Sequence, residues 1–401
     1  MNTMLNSSTS LEAANSFISN LSPYPDRYEG CGIIIPAGGT TYFANAWVCI
    51  HMLRFHGCNL PIQLWHLGEH EMDNNMCQLL SSLDVTCVDA LELRKKIPCR
   101  ILNGWELKPF SILHSSYEEV LLLDADNVPV MDPTFLFETP EYKETGAIFW
   151  PDFCRLGKSR LIWSLCGVEY RNEPEFESGQ ILINKRKCWR PINLAMWYNE
   201  HSDFFYQHVH GDKETYHMAF RRLKAPYSMP PYSICGLEAT MCQHDFTGRR
   251  IFQHRNTDKW NLFGENKRIN GFLYEDECLK FLDDLRSHFK NGLGQVRWYD
   301  SSLKTEMENQ AASDLLNRRF IYRRVGLDER PMTFLSEGRV GEGAARKEIF
   351  WDIRNTKDGV KLEIFSADDL TCSLALNENG SWHGRWLKYE QCPVEIFPMP
   401  A

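Results

Sequence analysis

No apolar run in the 401 residues approaches the roughly 18 needed to cross a bilayer as a helix. Residues 1–28 lack the basic start and apolar core of a secretory leader. They are rich in Ser and Asn, and read as a mobile or weakly helical lead-in. An excess of positive charge is also missing. The net charge of −9 speaks against nucleic acid as the main partner. The 14 cysteines include no C-x-x-C pair, and Cys49, Cys166 and Cys235 sit in apolar contexts. They read as reduced, buried small hydrophobes of a cytosolic protein. Neither G-x-G-x-x-G nor a P-loop occurs. Sequons at Asn6, Asn20 and Asn379 are near chance and matter only in a secreted chain. What is present is 43% hydrophobic and 12% aromatic residues. That is enough core for one large domain with a small one, or for two medium ones.

The chain is organised around Glu118 to Pro133, EEVLLLDADNVPVMDP. Val120 to Leu123 is apolar without alternation, as in a strand buried on both faces of a parallel sheet. The run ends on Asp124-Ala125-Asp126. Ligands of open α/β sheets sit at the carboxyl ends of strands. Side chains two apart share a face, so Asp124 and Asp126 point to one side. Two neighbouring acids repel unless a cation or proton sits between them. A hard divalent ion that also holds a diphosphate relieves that repulsion. The blander alternative is a strand-end Asp capping a turn made by Asn127 and Pro129.

Gly32 to Pro36 is a short buried strand. It runs through Ala37-Gly38-Gly39-Thr40-Thr41 into a helix from about Tyr42 to Phe55. Strand, glycine turn and helix make a nucleotide-binding opening. Ile62 to Leu67, a helix from Glu71 to Leu83, and Val85 to Val88 extend a β-α-β-α-β alternation. That alternation predicts a parallel, right-handed wound sheet. Trp105 to Ser116 predicts a helix bearing Lys108, a residue for a donor phosphate or sugar, or else a solvated helix lysine. Ala147 to Trp150 and Ile181 to Ile183 are further strands, the second preceded by Glu175-Phe176-Glu177-Ser178-Gly179-Gln180. Trp189 to Tyr206 is helical. Asp212 opens a helix running to about Arg222, where an N-cap acid is the bland reading. Ile251 to His254 is a late strand ending in His. A lone His is usually structural or exposed, but one leaving a strand with Lys259 five residues on could complete a metal site and clamp a phosphate. Leu273 to Lys290 is a helix, and the main domain ends near residue 300.

From Phe320 the texture changes to short alternating runs. These are Phe320 to Arg324, Thr333 to Glu337, Lys347 to Arg354, Val360 to Phe365, Cys372 to Leu376, Gly384 to Tyr389 and Pro393 to Phe397. Turns at Glu342-Gly343, Asp358-Gly359 and Asn379-Gly380 separate them. The pattern predicts a small antiparallel β unit, with Trp351, Trp382 and Trp386 in its core.

These segments together resemble metal-dependent glycosyltransferases of the GT-A fold, most of all the fungal Mnn-type α-mannosyltransferases (glycosyltransferase family 71). The runs LKPFSILHSSYEEVLLLDADNVPVMDPTFLFE, GAIFWPD and FESGQILINK carry the likeness. Glycogenin-like retaining transferases share a looser version of the motif order over about residues 30 to 265. The resemblance implies a GT-A domain, expected over 29–300 after the 1–28 lead-in; the change of texture places a helical linker with a small β-rich accessory domain over 301–401. It implies Mn²⁺ or Mg²⁺ on Asp124, Asp126 and His254, with Asp124 also touching the ribose and Ala125 at the donor. Pro36, Ala37, Gly38, Thr40, Thr41 and Tyr42 would line the nucleotide. Lys108 and Lys259 would meet donor sugar or phosphate. Glu177, Gln180 and Asp212 would face the transferred sugar and the acceptor hydroxyl. The implied reaction is retaining transfer of mannose from GDP-mannose to a glycan acceptor.

A UDP-hexose donor and an inert carbohydrate-binding protein are the rival readings. A sugar nucleotidyltransferase is disfavoured by the missing G-T-R and P-K. Fungal members carry an N-terminal anchor and stem that this sequence does not show, and the β unit lies outside their core. The expected location is cytoplasmic, or the Golgi lumen if an anchor has been removed.

Overall fold

A computed structural model describes residues 5–399 except 6, 8, 70, 101–103, 291–300, 302–303, 317, 337, 346, 357–358, 367–369 and 388–391. The sequon at Asn6, the domain end expected near 300, the turn at Asp358 and the last two residues of the run to Tyr389 lie outside the described residues. By its internal contacts the chain divides into two units. One comprises residues 1–38, 42–260 and 268–283; the other comprises 39–41, 261–267 and 284–401.

The strands of the first unit are β1 (Cys31–Pro36), β2 (Ile62–His66), β3 (Val85–Asp89), β4 (Glu119–Leu123), β5 (Asn127–Pro129), β6 (Ala147–Pro151), β7 (Phe176–Asn184), β8 (Cys235–Leu237), β9 (Thr240–His244) and β10 (Arg250–His254). Six of them form the main sheet, in the order β3-β2-β1-β4-β7-β6. The first four are parallel, as the alternation predicts. β7 then runs antiparallel to both β4 and β6, which a right-handed parallel winding does not anticipate. Val120 to Leu123 are fully buried, so the unbroken apolar run of β4 is what a central strand requires.

Helices pack against the strands of this sheet, and local capping starts several of them. Asp73 accepts from Met76 N at 2.8 Å ahead of Asn74–Ser81. Asn184 accepts from Lys187 N at 3.0 Å ahead of Lys185–Glu200. Phe149 of β6 stacks on Phe176 of β7 at 4.2 Å, and Phe220 and Tyr227 meet them edge-on. Within the lead-in, Ser10–Ser19 is a helix with Ala14 buried, and Phe17 stacks on Trp197 at 5.8 Å.

A second, four-stranded sheet of order β5-β10-β9-β8 had no counterpart in the sequence reading beyond its β10 strand. Its pairing sets the site. β5 begins immediately after Asp126 and pairs antiparallel with β10, with His254 opposite Asn127.

The second unit holds one seven-stranded sheet. Its strands are β11 (Phe320–Arg324), β12 (Asp328–Met332), β13 (Phe350–Thr356), β14 (Gly359–Phe365), β15 (Leu370–Leu376), β16 (Trp382–Trp386) and β17 (Pro393–Pro398). They are ordered β12-β11-β17-β16-β15-β14-β13, and every pairing is antiparallel. The run from Thr333 forms only a bridge, Phe334 to Val340, while β12, unmarked in the sequence, is the edge strand. Trp351, Trp382 and Trp386 are buried with the Ala311, Ala312 and Leu315 face of the helix Glu306–Leu316, which confirms them as core. Trp351→Ala is expected to destabilise this unit by about 3–5 kcal/mol. Urea unfolding followed by circular dichroism checks this, and an unmoved midpoint would contradict the core assignment.

Candidate active site

Two ladders bring the site together at the carboxyl end of β4. In the first, Leu123 lies opposite Gln180, and Asp124 N continues the pattern by donating to Gly179 O at 2.8 Å. In the second, His254 lies opposite Asn127, and Arg255 N donates to Asp126 O at 3.0 Å. Gly179, Gln180 and His254 are thereby fixed against the Asp124-Ala125-Asp126 turn by backbone hydrogen bonds. Asn127 ties the ladders together, its Nδ2 donating to Gly179 O at 2.9 Å and to Gln180 Oε1 at 2.8 Å.

The charges interlock. Lys108 Nζ is buried 2.7 and 2.8 Å from the two oxygens of Asp124, and 3.8 Å from Asp212 Oδ1. It is thus no solvated helix lysine. His254 Nε2 lies 3.2 Å from Asp126 Oδ1 and 3.7 Å from Asp124 Oδ2. Its Nδ1 lies 3.1 Å from Glu177 Oε1. Lys259 Nζ donates to Asp126 Oδ2. Asp212 occupies an N-cap position but makes no capping bond. Its Oδ1 instead accepts from Ser178 Oγ at 3.3 Å, and its buried Oδ2 has no hydrogen-bond partner.

Burial raises the Asp124 carboxyl against the pull of Lys108 and His254. Burial also opposes the charge of Asp126, but His254 and Lys259 hold it well below the usual carboxylate range. Desolvation works against charge on His254, yet Asp126 and Glu177 hold its pKa up at about 10. Asp212 is pushed up to about 6 by burial, with Lys108 opposing and Asp124 adding to the rise. The cationic His254 therefore stands where a metal ion would bind. A bound cation has to displace that proton.

One donor atom each from Asp124, Asp126 and His254 lies within 4.8 Å of the others. Two carboxylate oxygens and one imidazole nitrogen fit a divalent ion of the Mn²⁺ or Mg²⁺ kind. Beside them a cavity of about 590 Å³ is lined by Pro36, Ala37, Gly38, Tyr42, Lys108, Asp124, Ala125, Asp126 and Lys259, all expected from the sequence. Gly38 is needed for close approach, because a Cβ there would lie 2.0 Å from Glu71 Oε2. Thr40 and Thr41 lie in the first turn of the helix Gly39–Phe55. Glu177, Gln180, Asp212 and His254 are buried and are not among the cavity-lining residues. Leu67, Glu71, Trp105 and Tyr206 also line the cavity and carry no motif that would have marked them. Asn127 and Ser178 lie within the EEVLLLDADNVPVMDP and FESGQILINK runs, but their linking roles depend on the register.

Strand order, a reversed β7 and an acid pair leaving β4 define the GT-A class of nucleotide-diphospho-sugar transferases. The mannosyltransferase family model Mannosyl_trans3 matches residues 30–170 and 167–238, just over half of the chain, and the chain belongs to that family. It is 27% identical over 245 residues to alpha-1,2-mannosyltransferase MNN21 of Candida albicans, covering 47% of this chain and 37% of that one. Its identity to MNN2 of Saccharomyces cerevisiae is 26% over 277 residues, covering 57% and 46%. The chain thus spans less than half the length of these relatives. Among solved structures it is similar to the galactosyltransferase LgtC with donor and acceptor sugar analogs (TM-score 0.36, 17% identity, 47% and 70% of the two chains). It is also similar to apo glycosyltransferase GlyE of Streptococcus pneumoniae (TM-score 0.40, 15% identity, 72% and 73%).

A carboxyl raised from 3.8 to about 6 takes up a proton on folding between those values, so its effect on stability worsens as pH rises through that window. In EDTA, Asp212→Asn is expected to raise the thermal midpoint near pH 7.5. The gain should shrink as the pH falls through 6 toward 4. A midpoint below wild type at pH 7.5 would contradict the burial argument.

Proposed function

We propose that this chain is a metal-dependent, retaining α-mannosyltransferase that moves mannose from GDP-mannose to a hydroxyl of a glycan acceptor. The observation that carries the reading is the convergence of Asp124, Asp126, Lys108 and Lys259 on one cavity wall, with His254 and Asp212 buried directly against them, in a chain of a mannosyltransferase family. The relatives' names as alpha-1,2-mannosyltransferases support the choice of sugar.

Asp124, Asp126 and His254 would hold Mn²⁺ or Mg²⁺, which supplies charge neutralisation on the donor diphosphate. Lys108 and Lys259 add positive charge where the leaving group departs. The exposed Tyr42 ring, with Pro36, Ala37, Gly38, Thr40 and Thr41, receives the nucleotide, and Ala125 passes close to it. The acceptor oxygen bonds to the sugar C1 as the C1–phosphate oxygen bond breaks, and the acceptor proton goes to the departing phosphate. Asp212, whose Oδ2 has a lone pair available, faces the positive charge that builds on the sugar ring. Lys108 couples the two ends of this chemistry, since it contacts both Asp124 and Asp212. Partners are then the nucleotide sugar and a glycan. All 14 cysteines are free, which supports a reducing, cytoplasmic setting. Among the described residues no helix is long and apolar enough to cross a membrane.

Calorimetric titration with GDP-mannose, UDP-glucose and UDP-galactose, each with and without Mn²⁺, tests the reading. Mn²⁺-dependent binding of GDP-mannose alone is expected. Binding of a UDP-sugar instead would overturn the donor, and metal-independent binding would overturn the metal. Asp126→Ala is expected to abolish donor binding that depends on Mn²⁺, while the circular dichroism spectrum stays unchanged. Asp212→Asn is expected to lower kcat by about 10²-fold or more at unaltered donor affinity; an unchanged rate would reduce Asp212 to a helix-start residue.

A further inference from the structure

Glu177 carries a role the sequence did not suggest. Both of its carboxylate oxygens are engaged inside the protein. Oε1 accepts from Gly179 N at 2.8 Å and from His254 Nδ1 at 3.1 Å. Oε2 accepts from Gln180 Nε2. Gln180 is fixed in turn, because its Oε1 accepts from Asn127 Nδ2 at 2.8 Å. Asn127 lies opposite His254 in the β5–β10 ladder, so the chain of contacts closes on itself. All four side chains are buried. Gly179 leaves the necessary gap: a Cβ there would sit 2.5 Å from His254 Nδ1 and 2.8 Å from Glu177 Oε1. The segment Glu177-Ser178-Gly179-Gln180 therefore presents a carboxylate, a space for the imidazole and a clamp on the carboxylate, in that order.

We propose that Glu177 is a positioning residue for His254 and does not meet the transferred sugar. The inference rests on the metal reading given under Proposed function. An imidazole that binds a cation through one nitrogen carries its proton on the other. A carboxylate that accepts that proton fixes the tautomer and ring orientation and makes the ligating nitrogen a better donor. Here Glu177 takes the Nδ1 side, and Nε2 is aimed between Asp126 and Asp124. Gln180 keeps Glu177 from rotating away. Asp212 is then the carboxylate with a lone pair left for the sugar.

The test uses the full chain stripped with EDTA and titrated with MnCl₂, free Mn²⁺ being read by electron paramagnetic resonance. Wild type, Glu177→Ala, Glu177→Gln and Asp212→Asn are compared. Glu177→Ala is expected to weaken Mn²⁺ binding by about 10–100-fold. Glu177→Gln, whose amide oxygen still accepts from Nδ1–H, should fall between Glu177→Ala and wild type. Asp212→Asn should bind Mn²⁺ as wild type does. Excess Mn²⁺ should restore turnover to the Glu177 variants. Wild-type Mn²⁺ affinity in both Glu177 variants, with turnover lost at saturating Mn²⁺, would overturn the proposal and return Glu177 to the sugar. If Glu177→Ala fails to fold, Glu177→Gln decides between these outcomes. A wild-type chain that binds no Mn²⁺ would overturn the metal reading, and this proposal with it, before any variant is compared.

Discussion

Two carboxylates that cannot escape each other govern this site. Asp124 and Asp126 leave a fully buried strand one residue apart, in a turn pinned on both sides by β-ladder hydrogen bonds. Their charge is met by fixed partners: Lys108 on Asp124, Lys259 on Asp126, and His254 across both. Lys108 and His254 are themselves buried, and each also contacts a further carboxylate, Asp212 and Glu177 respectively. The polar centre is thus a network in which each ion is balanced by at least one other. A divalent cation would answer the same repulsion more directly, in place of a proton on His254.

Much of this was legible because the governing signals are local. The unbroken apolar run of Val120 to Leu123 marked the central strand. The Asp-x-Asp after it marked the ligand end, and the strand-turn-helix from Gly32 marked the opening of the wound sheet. Lys108, His254 and Lys259 were within reach through motif order. The alternating runs after Phe320 announced an antiparallel sheet with its tryptophans inside.

What stayed hidden depended on register and on pairing between distant segments. Nothing in Ile181 to Ile183 says that β7 runs against β4, because apolar runs carry no direction. β5 is three residues long, too short for a period, yet its pairing with β10 places His254 opposite Asn127. The same register turns Glu177 toward His254, whereas a motif alone suggests only that the acid lies near the site. Asp212 illustrates the converse. An acid at a helix start is usually a cap, and only the geometry shows its side chain turned away from the helix toward Lys108 and Ser178.

The central claim is that the Asp124, Asp126 and His254 cluster is a divalent-cation centre. An anomalous difference map from crystals grown with Mn²⁺ and GDP tests it most directly. The account requires a Mn²⁺ peak within bonding distance of Asp126, His254 Nε2 and Asp124, in contact with the diphosphate. Nucleotide bound in the cavity with no peak at that cluster, or with the ion held elsewhere, would contradict it.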